Sequence, residues 1–209
     1  NDAERAIEAA IMPLISSCSI ACGGHAGDDE TMRITALLAK AHHVSIGAHP
    51  SYPDREGFGR RNLKIEATEL AASLRTQVTA LRAILDREQL PLAHVKPHGA
   101  LYNNAANDID LARIVADAAQ GAILVGPPGS ALEDVAMQAG LRFAAEGFVD
   151  RSYQTSGALT PRSQPGAIIA EMSARAAQAL AIARGDMIKA SRGVSLSLVV
   201  QTLCIHSDS

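Results

Sequence analysis

The chain has 209 residues, 47% of them apolar and 20% charged, with a formal net charge of -3. This composition builds one sizeable core and excludes a disordered tail, a collagen-like rod or a coiled coil. The slight acidic excess and the 3% aromatic content argue against a nucleic-acid binder, which needs a basic stripe or a stacking platform. No apolar run approaches the roughly 18 residues of a membrane span. The sparse cysteines Cys18, Cys22 and Cys204 fit a reducing, cytoplasmic setting rather than a disulfide scaffold.

Asn1 opens in what reads as a helix. Apolar runs over 14–22, 44–48, 92–95, 122–125, 141–145 and 196–205 read as strands, most of them continuous enough to be covered on both faces. Helical periodicity falls between them, over 28–41, 66–88, 108–119, 130–138 and 165–184. Asp28 or Asp29 is the expected N-cap of the first of these, and Gly185 the stop of the last. Strands alternating with helices predict a parallel sheet and an α/β fold, a barrel or an open doubly wound sheet, in a single domain over 1–209.

Four of the seven histidines, His25, His49, His98 and His206, follow a predicted strand. Strand carboxyl ends share one face in parallel α/β folds, and active sites form there. Other chemically useful groups accompany them: Asp28, Tyr52, Lys96, Tyr102, Asn103, Asp150, Arg151, Tyr153 and Asp208. Gly57-Phe-Gly-Arg-Arg61 reads either as an anion-closing loop with Arg60 and Arg61 as clamps or as a tight turn. His and Asp together also suit a divalent ion, with His25, His49 and His98 the candidate ligands. There is no P-loop, no dinucleotide fingerprint and no nucleophile elbow.

Six segments, Ile20-Ala-Cys-Gly-Gly-His-Ala-Gly-Asp28, Ile46-Gly-Ala-His-Pro-Ser-Tyr-Pro-Asp54, Gly57–Arg61, Val95-Lys-Pro-His-Gly-Ala-Leu-Tyr-Asn103, Asp150-Arg-Ser-Tyr153 and Cys204-Ile-His-Ser-Asp208, resemble the LamB/YcsF family, in family order and over nearly the whole chain. That resemblance implies a seven-stranded (β/α) barrel-like fold of the glycoside hydrolase/deacetylase type. It implies ATP-dependent cleavage of 5-oxo-L-proline to L-glutamate, as the A subunit of a 5-oxoprolinase that also needs subunits B and C. Three features depart from the family pattern. The opening strand with Asp-Leu-Asn is missing, Ser19 stands where Asn is usual, and Ser207 where Gly is usual.

For lactam opening, His98 or His25 is the expected general base. Lys96 would stabilise an oxyanion or phosphate, and Arg60 or Arg61 would pair with the substrate carboxylate. Asp28, Asp150 and Asp208 would orient imidazoles or hold a metal. His49, Tyr52, Tyr102, Asn103, Arg151, Tyr153, His206 and Asp208 are the expected substrate contacts. ATP, the expected co-substrate, has no visible motif here, so the sequence does not place its site, and the partner subunits are candidates to hold it. Two other readings compete: a stand-alone metal-dependent hydrolase or deacetylase of a carbohydrate-like substrate, and a non-catalytic substrate-binding subunit. The Ala-rich helices would also permit a homodimer.

Overall fold

The computed structural model describes the backbone of residues 2–206 and side chains from residue 5. The chain divides into two compact units, up to Phe143 and from Ala144.

The first unit opens with helix α1 (Asp2–Ile11), and a 3-10 turn at Met12–Leu14 follows it. It continues β1 (Ser17–Ala21), α2 (Asp29–Ala41), β2 (Ser45–His49), α3 (Ala67–Arg87), β3 (His94–Val95), α4 (Gly99–Ala105), α5 (Ile109–Ala119), β4 (Ile123–Gly126) and α6 (Ala131–Gln138). The pairs β1–β2, β2–β3 and β3–β4 are all parallel, as the alternation of strands and helices predicts.

Register explains how this sheet serves both a core and a site. Ile20, Ala48, Val95 and Leu124 align across the four strands and belong to one buried apolar cluster. The neighbouring row is Ser19, Gly47, His94 and Ile123. Successive strand residues point to opposite faces, so one face takes the core and the other carries small and polar groups. Gly47 has a spatial reason. A Cβ there would lie 2.1 Å from His94 Nε2, because the imidazole crosses this position to meet Ser19 Oγ at 3.0 Å.

The helices cover the apolar face. Leu70, Leu74, Val78, Leu81 and Leu85 of α3 recur every three to four residues and are buried, each burial contributing about 1.5–3 kcal/mol. Asp28 starts α2 with a capping box: its carboxylate accepts from Thr31 N, and the Thr31 side chain accepts from Asp28 N. Asp108 and Ser130 likewise cap α5 and α6 with their side chains.

The second unit contains β5 (Phe143–Phe148), α7 (Met172–Arg184), the antiparallel pair β6 (Ile188–Lys189) and β7 (Ser195–Leu196), and β8 (Thr202–Cys204), which runs parallel to β5. Two sequence expectations change here. The helix expected from Pro165 begins at Met172. The preceding stretch instead serves the β5 loop, where Ser152 N donates to Ala167 O and Ile169 N to Asp150 O. The strand expected over 196–205 divides between β7 and β8, its first residues being taken by the turn with β6.

Candidate active site

Three strand ends of the first unit deliver the predicted imidazoles. His25 lies in the turn after β1, closed by Gly23 N donating to Ala26 O at 2.8 Å. Arg55 Nη1 pins the same turn by donating to Gly23 O and Gly27 O. His49 ends β2 and donates from Nδ1 to Lys96 O at 2.7 Å. His98 follows β3 and stands at the N-cap position of α4, with no capping bond from its side chain. Its Nδ1 is 3.0 Å from His49 Nε2, and its Nε2 donates to Phe58 O at 2.9 Å. The His25 and His98 rings stack, centroids 3.8 Å apart and planes 8° from parallel.

Burial first, and then the nearby positive charges, keep the inner imidazoles of this cluster neutral. Burial first, then the charges of His98, Arg60 and Arg55, lowers His25 to about 3. Desolvation first, then His98 and Lys96, holds His49 well below the ordinary imidazole value. Below them, burial and then Lys96 lower His94 to about 4. His25 is 4% exposed, and its buried Nδ1 has no hydrogen-bond partner among the described residues.

The loop after β2 closes over the rings. Phe58 takes a left-handed φ of +53°, an uncommon conformation outside glycine. Its ring stands edge-on to His25 and His98, with centroids at 5.1 and 5.4 Å. Asp54 holds the loop in shape. Its Oδ1 accepts from Gly57 N and Arg61 Nε, both at 2.9 Å, and Arg61 chiefly holds its carboxyl down to about 2. Gly59 adopts φ +65°, and a Cβ there would press His25 Cβ and His98 Cδ2 at 3.0 Å. Arg60 lies over the Phe58 ring, 5.0 Å from its centroid.

The remaining expected residues divide. Lys96 is buried beside the imidazoles. Asp28 is exposed and engaged as the α2 cap, and Arg61 is engaged by Asp54 and Glu56. Tyr52 is buried, its hydroxyl accepting from Asn104 Nδ2, and Tyr102 is buried in α4. Asn103 folds back to donate to Gly99 O. In the second unit, His206 donates to Asp150 Oδ2 from both its backbone N and Nδ1, at 3.1 and 2.8 Å. Asp150 is fully buried, and the His206 side chain is 23% exposed. Arg151 is buried and donates to Ala167 O and Thr160 O. Tyr153 accepts from Phe148 N, and burial pushes its phenol up. Asp208 lies outside the described residues.

Sequence reading missed Arg55, Phe58, Gln77 and His94. Gln77 of α3 clips the His49 loop, accepting from Ser51 N and donating to Ser51 O. Phe58 had a signal in the two flanking glycines, and His94 in its two-residue spacing from Lys96. Arg55 and Gln77 act through long-range contacts with backbone groups and had none.

The described residues do not by themselves form the expected divalent-ion site, and Asp208, one of its expected members, lies outside them. No three His, Cys, Asp or Glu side chains among the described residues are grouped to hold an ion. Both ring nitrogens of His49 and of His98 are engaged in hydrogen bonds.

Fold and site together define a parallel α/β protein that presents a histidine cluster at its strand carboxyl ends. The chain belongs to the LamB/YcsF family, whose sequence pattern matches residues 3–209. It is 46% identical over 202 residues to the A subunit of 5-oxoprolinase from Symbiobacterium thermophilum, covering 95% of this chain and 77% of that one. It is 43% identical over 203 residues to the Pyrococcus furiosus protein of the same name, covering 95% and 80%. The crystal structure of the lactam utilization protein from Thermus thermophilus is similar at a TM-score of 0.90 and 42% identity, covering 96% of this chain and 83% of that chain. This likeness agrees with the barrel-like α/β class expected from the sequence.

Proposed function

We propose that this chain is the lactam-handling A subunit of a 5-oxoprolinase, opening 5-oxo-L-proline to L-glutamate at the expense of ATP and together with subunits B and C. The observation that carries this reading is the convergence of His25, His49 and His98 beside Lys96 and Arg60, in a chain whose relatives are named as A subunits of 5-oxoprolinase.

An amide needs an activated carbonyl, an attacking water and a proton for the leaving nitrogen. The imidazoles handle protons. Lys96 supplies positive charge for the developing oxyanion or for phosphate. Arg60, which lies over the Phe58 ring beside His25 and His98, would pair with the substrate carboxylate. Five-membered lactams carry little ring strain, and phosphorylation of the amide oxygen by ATP would turn it into a leaving group.

The test is glutamate formation from 5-oxo-L-proline and ATP, by this chain alone and with its B and C partners. Glutamate in the reconstituted mixture is the expected result. None, with the partners folded and bound, overturns the reading.

A further inference from the structure

The His25 ring is placed by the turn that carries it. His49 and His98 are each tied to a backbone carbonyl through a ring nitrogen. His25 Nδ1, by contrast, is buried with no hydrogen-bond partner among the described residues. Around His25 stand ring faces and edges: His98 stacked at 3.8 Å, Phe58 edge-on at 5.1 Å and His49 edge-on at 5.6 Å. Such contacts let a ring slide, so its place follows its backbone. That backbone is pliant. Gly23 and Gly27 adopt φ of +102° and +86°, and glycine gives up more conformational freedom than any other residue when held in one shape.

The loop after β2 holds the turn from outside. Arg55 Nη1 carries two hydrogens, and it donates to Gly23 O at 3.1 Å and to Gly27 O at 3.0 Å. These carbonyls lie two residues before and two residues after His25, so one nitrogen brackets the imidazole. The Arg55 carbonyl accepts from Phe58 N at 3.3 Å, which ties the bracket to the ring that stands edge-on to His25. Gly24 completes the seat. A Cβ there would fall 2.4 Å from Gln77 Oε1 and 2.6 Å from Ser51 Oγ, so the turn rests on the clip that holds the His49 loop.

We propose that Arg55 is the positioning residue of the site: its two bonds to the β1 turn set His25 against His98 and make the His25 turn and the His49 loop one unit. Its effect on turnover rests on the lactam-opening reading; its effect on the ring does not. Arg55 is exposed, and its Nη1 hydrogens are committed to backbone carbonyls. Its loss would shift the turn and leave every group of the site present. A displacement of about 1 Å in a reacting group can cost about 10²-fold in rate.

NMR of the ¹³C-histidine protein reads the ring directly and needs no turnover. The His25 Cε1 proton lies in the ring current of the stacked His98, and loss of one signal in His25→Gln assigns it. In Arg55→Met, which keeps a long side chain and removes the donors, that signal should move toward the position of an unstacked histidine. Arg55→Gln, whose amide is too short to reach both carbonyls, should do the same and decides the matter if the methionine variant does not fold. Arg55→Lys, whose ammonium can donate to two carbonyls, should recover most of the original position. A His25 signal unmoved in the folded Met or Gln variant overturns the proposal. Arg113→Met, which removes an arginine of α5 paired with Asp110, should leave the signal in place; a matching shift there overturns the assignment to Arg55. In the reconstituted enzyme, Arg55→Met should lower kcat about tenfold or more with KM within about twofold, as expected of a misplaced group, and Arg55→Lys should restore part of it. Unchanged kcat overturns the role in turnover, and a raised KM beside it would make Arg55 a substrate contact instead. If the unaltered enzyme forms no glutamate while the His25 signal moves in Arg55→Met, the reaction reading fails and the placement stands.

Discussion

Phe58 shows how much of the site depends on single backbone conformations. Its left-handed φ puts its carbonyl on His98 and its ring against two imidazoles. The glycine after it permits this. Gly59→Ala should lower stability by about 1–3 kcal/mol, since it adds strain at positive φ and presses His25 and His98; urea unfolding measures the loss. His98→Ala should abolish glutamate formation by the reconstituted enzyme while far-ultraviolet circular dichroism stays unchanged. At this scale the sequence was most informative about imidazoles, because a histidine after a strand has a known place in a parallel fold. It said little about Arg55 or Gln77. Their roles depend on carbonyls and amides from loops far away along the chain, and no local pattern encodes such contacts.

Elements were legible where periodicity and caps agreed. The predicted helices over 28–41 and 66–88 lie within a residue of α2 and α3. The Asp28 cap gives a clean test: Asp28→Ala should cost about 1 kcal/mol through loss of the capping box, read as a lower thermal midpoint. Gln77→Leu should cost more, because it leaves both Ser51 backbone groups unsatisfied in a buried place, at about 1–3 kcal/mol for each orphaned group. The failures have two separate causes. Helix α4 went unpredicted because it has only seven residues and starts at a glycine of positive φ. The stretch before α7 was read as helix from its alanines, although its backbone pairs with the loop after β5. Tertiary pairing overrode local propensity in the second unit.

For the molecule as a whole, the buried imidazoles set the response to acid. His25, His49 and His94 remain neutral in the folded state well below the pH at which an unfolded imidazole takes a proton. Below about pH 6.5 the unfolded chain therefore binds more protons, and stability falls as pH drops toward 4. His94 alone would remove about 3 kcal/mol by pH 4. Unfolding by urea at pH 7 and at pH 5 should show the lower midpoint at pH 5. The parallel α/β class was readable from alternation alone. The division at Phe143 was not, because it falls at the first residue of a strand and carries no linker composition.

Gly47 and His94 exchange volume across neighbouring strands: the imidazole occupies the space that a side chain at 47 would need. The two positions therefore form a size-coupled pair. A methyl group added at 47 cannot be accommodated by a shift of the ring alone, because His94 is also held to Ser19. Across descendants of this sequence, any departure from glycine at 47 should be accompanied by a smaller residue at 94, and the ancestral ring could return only after the glycine had been restored. One vacant Cβ thus makes the order of mutations matter.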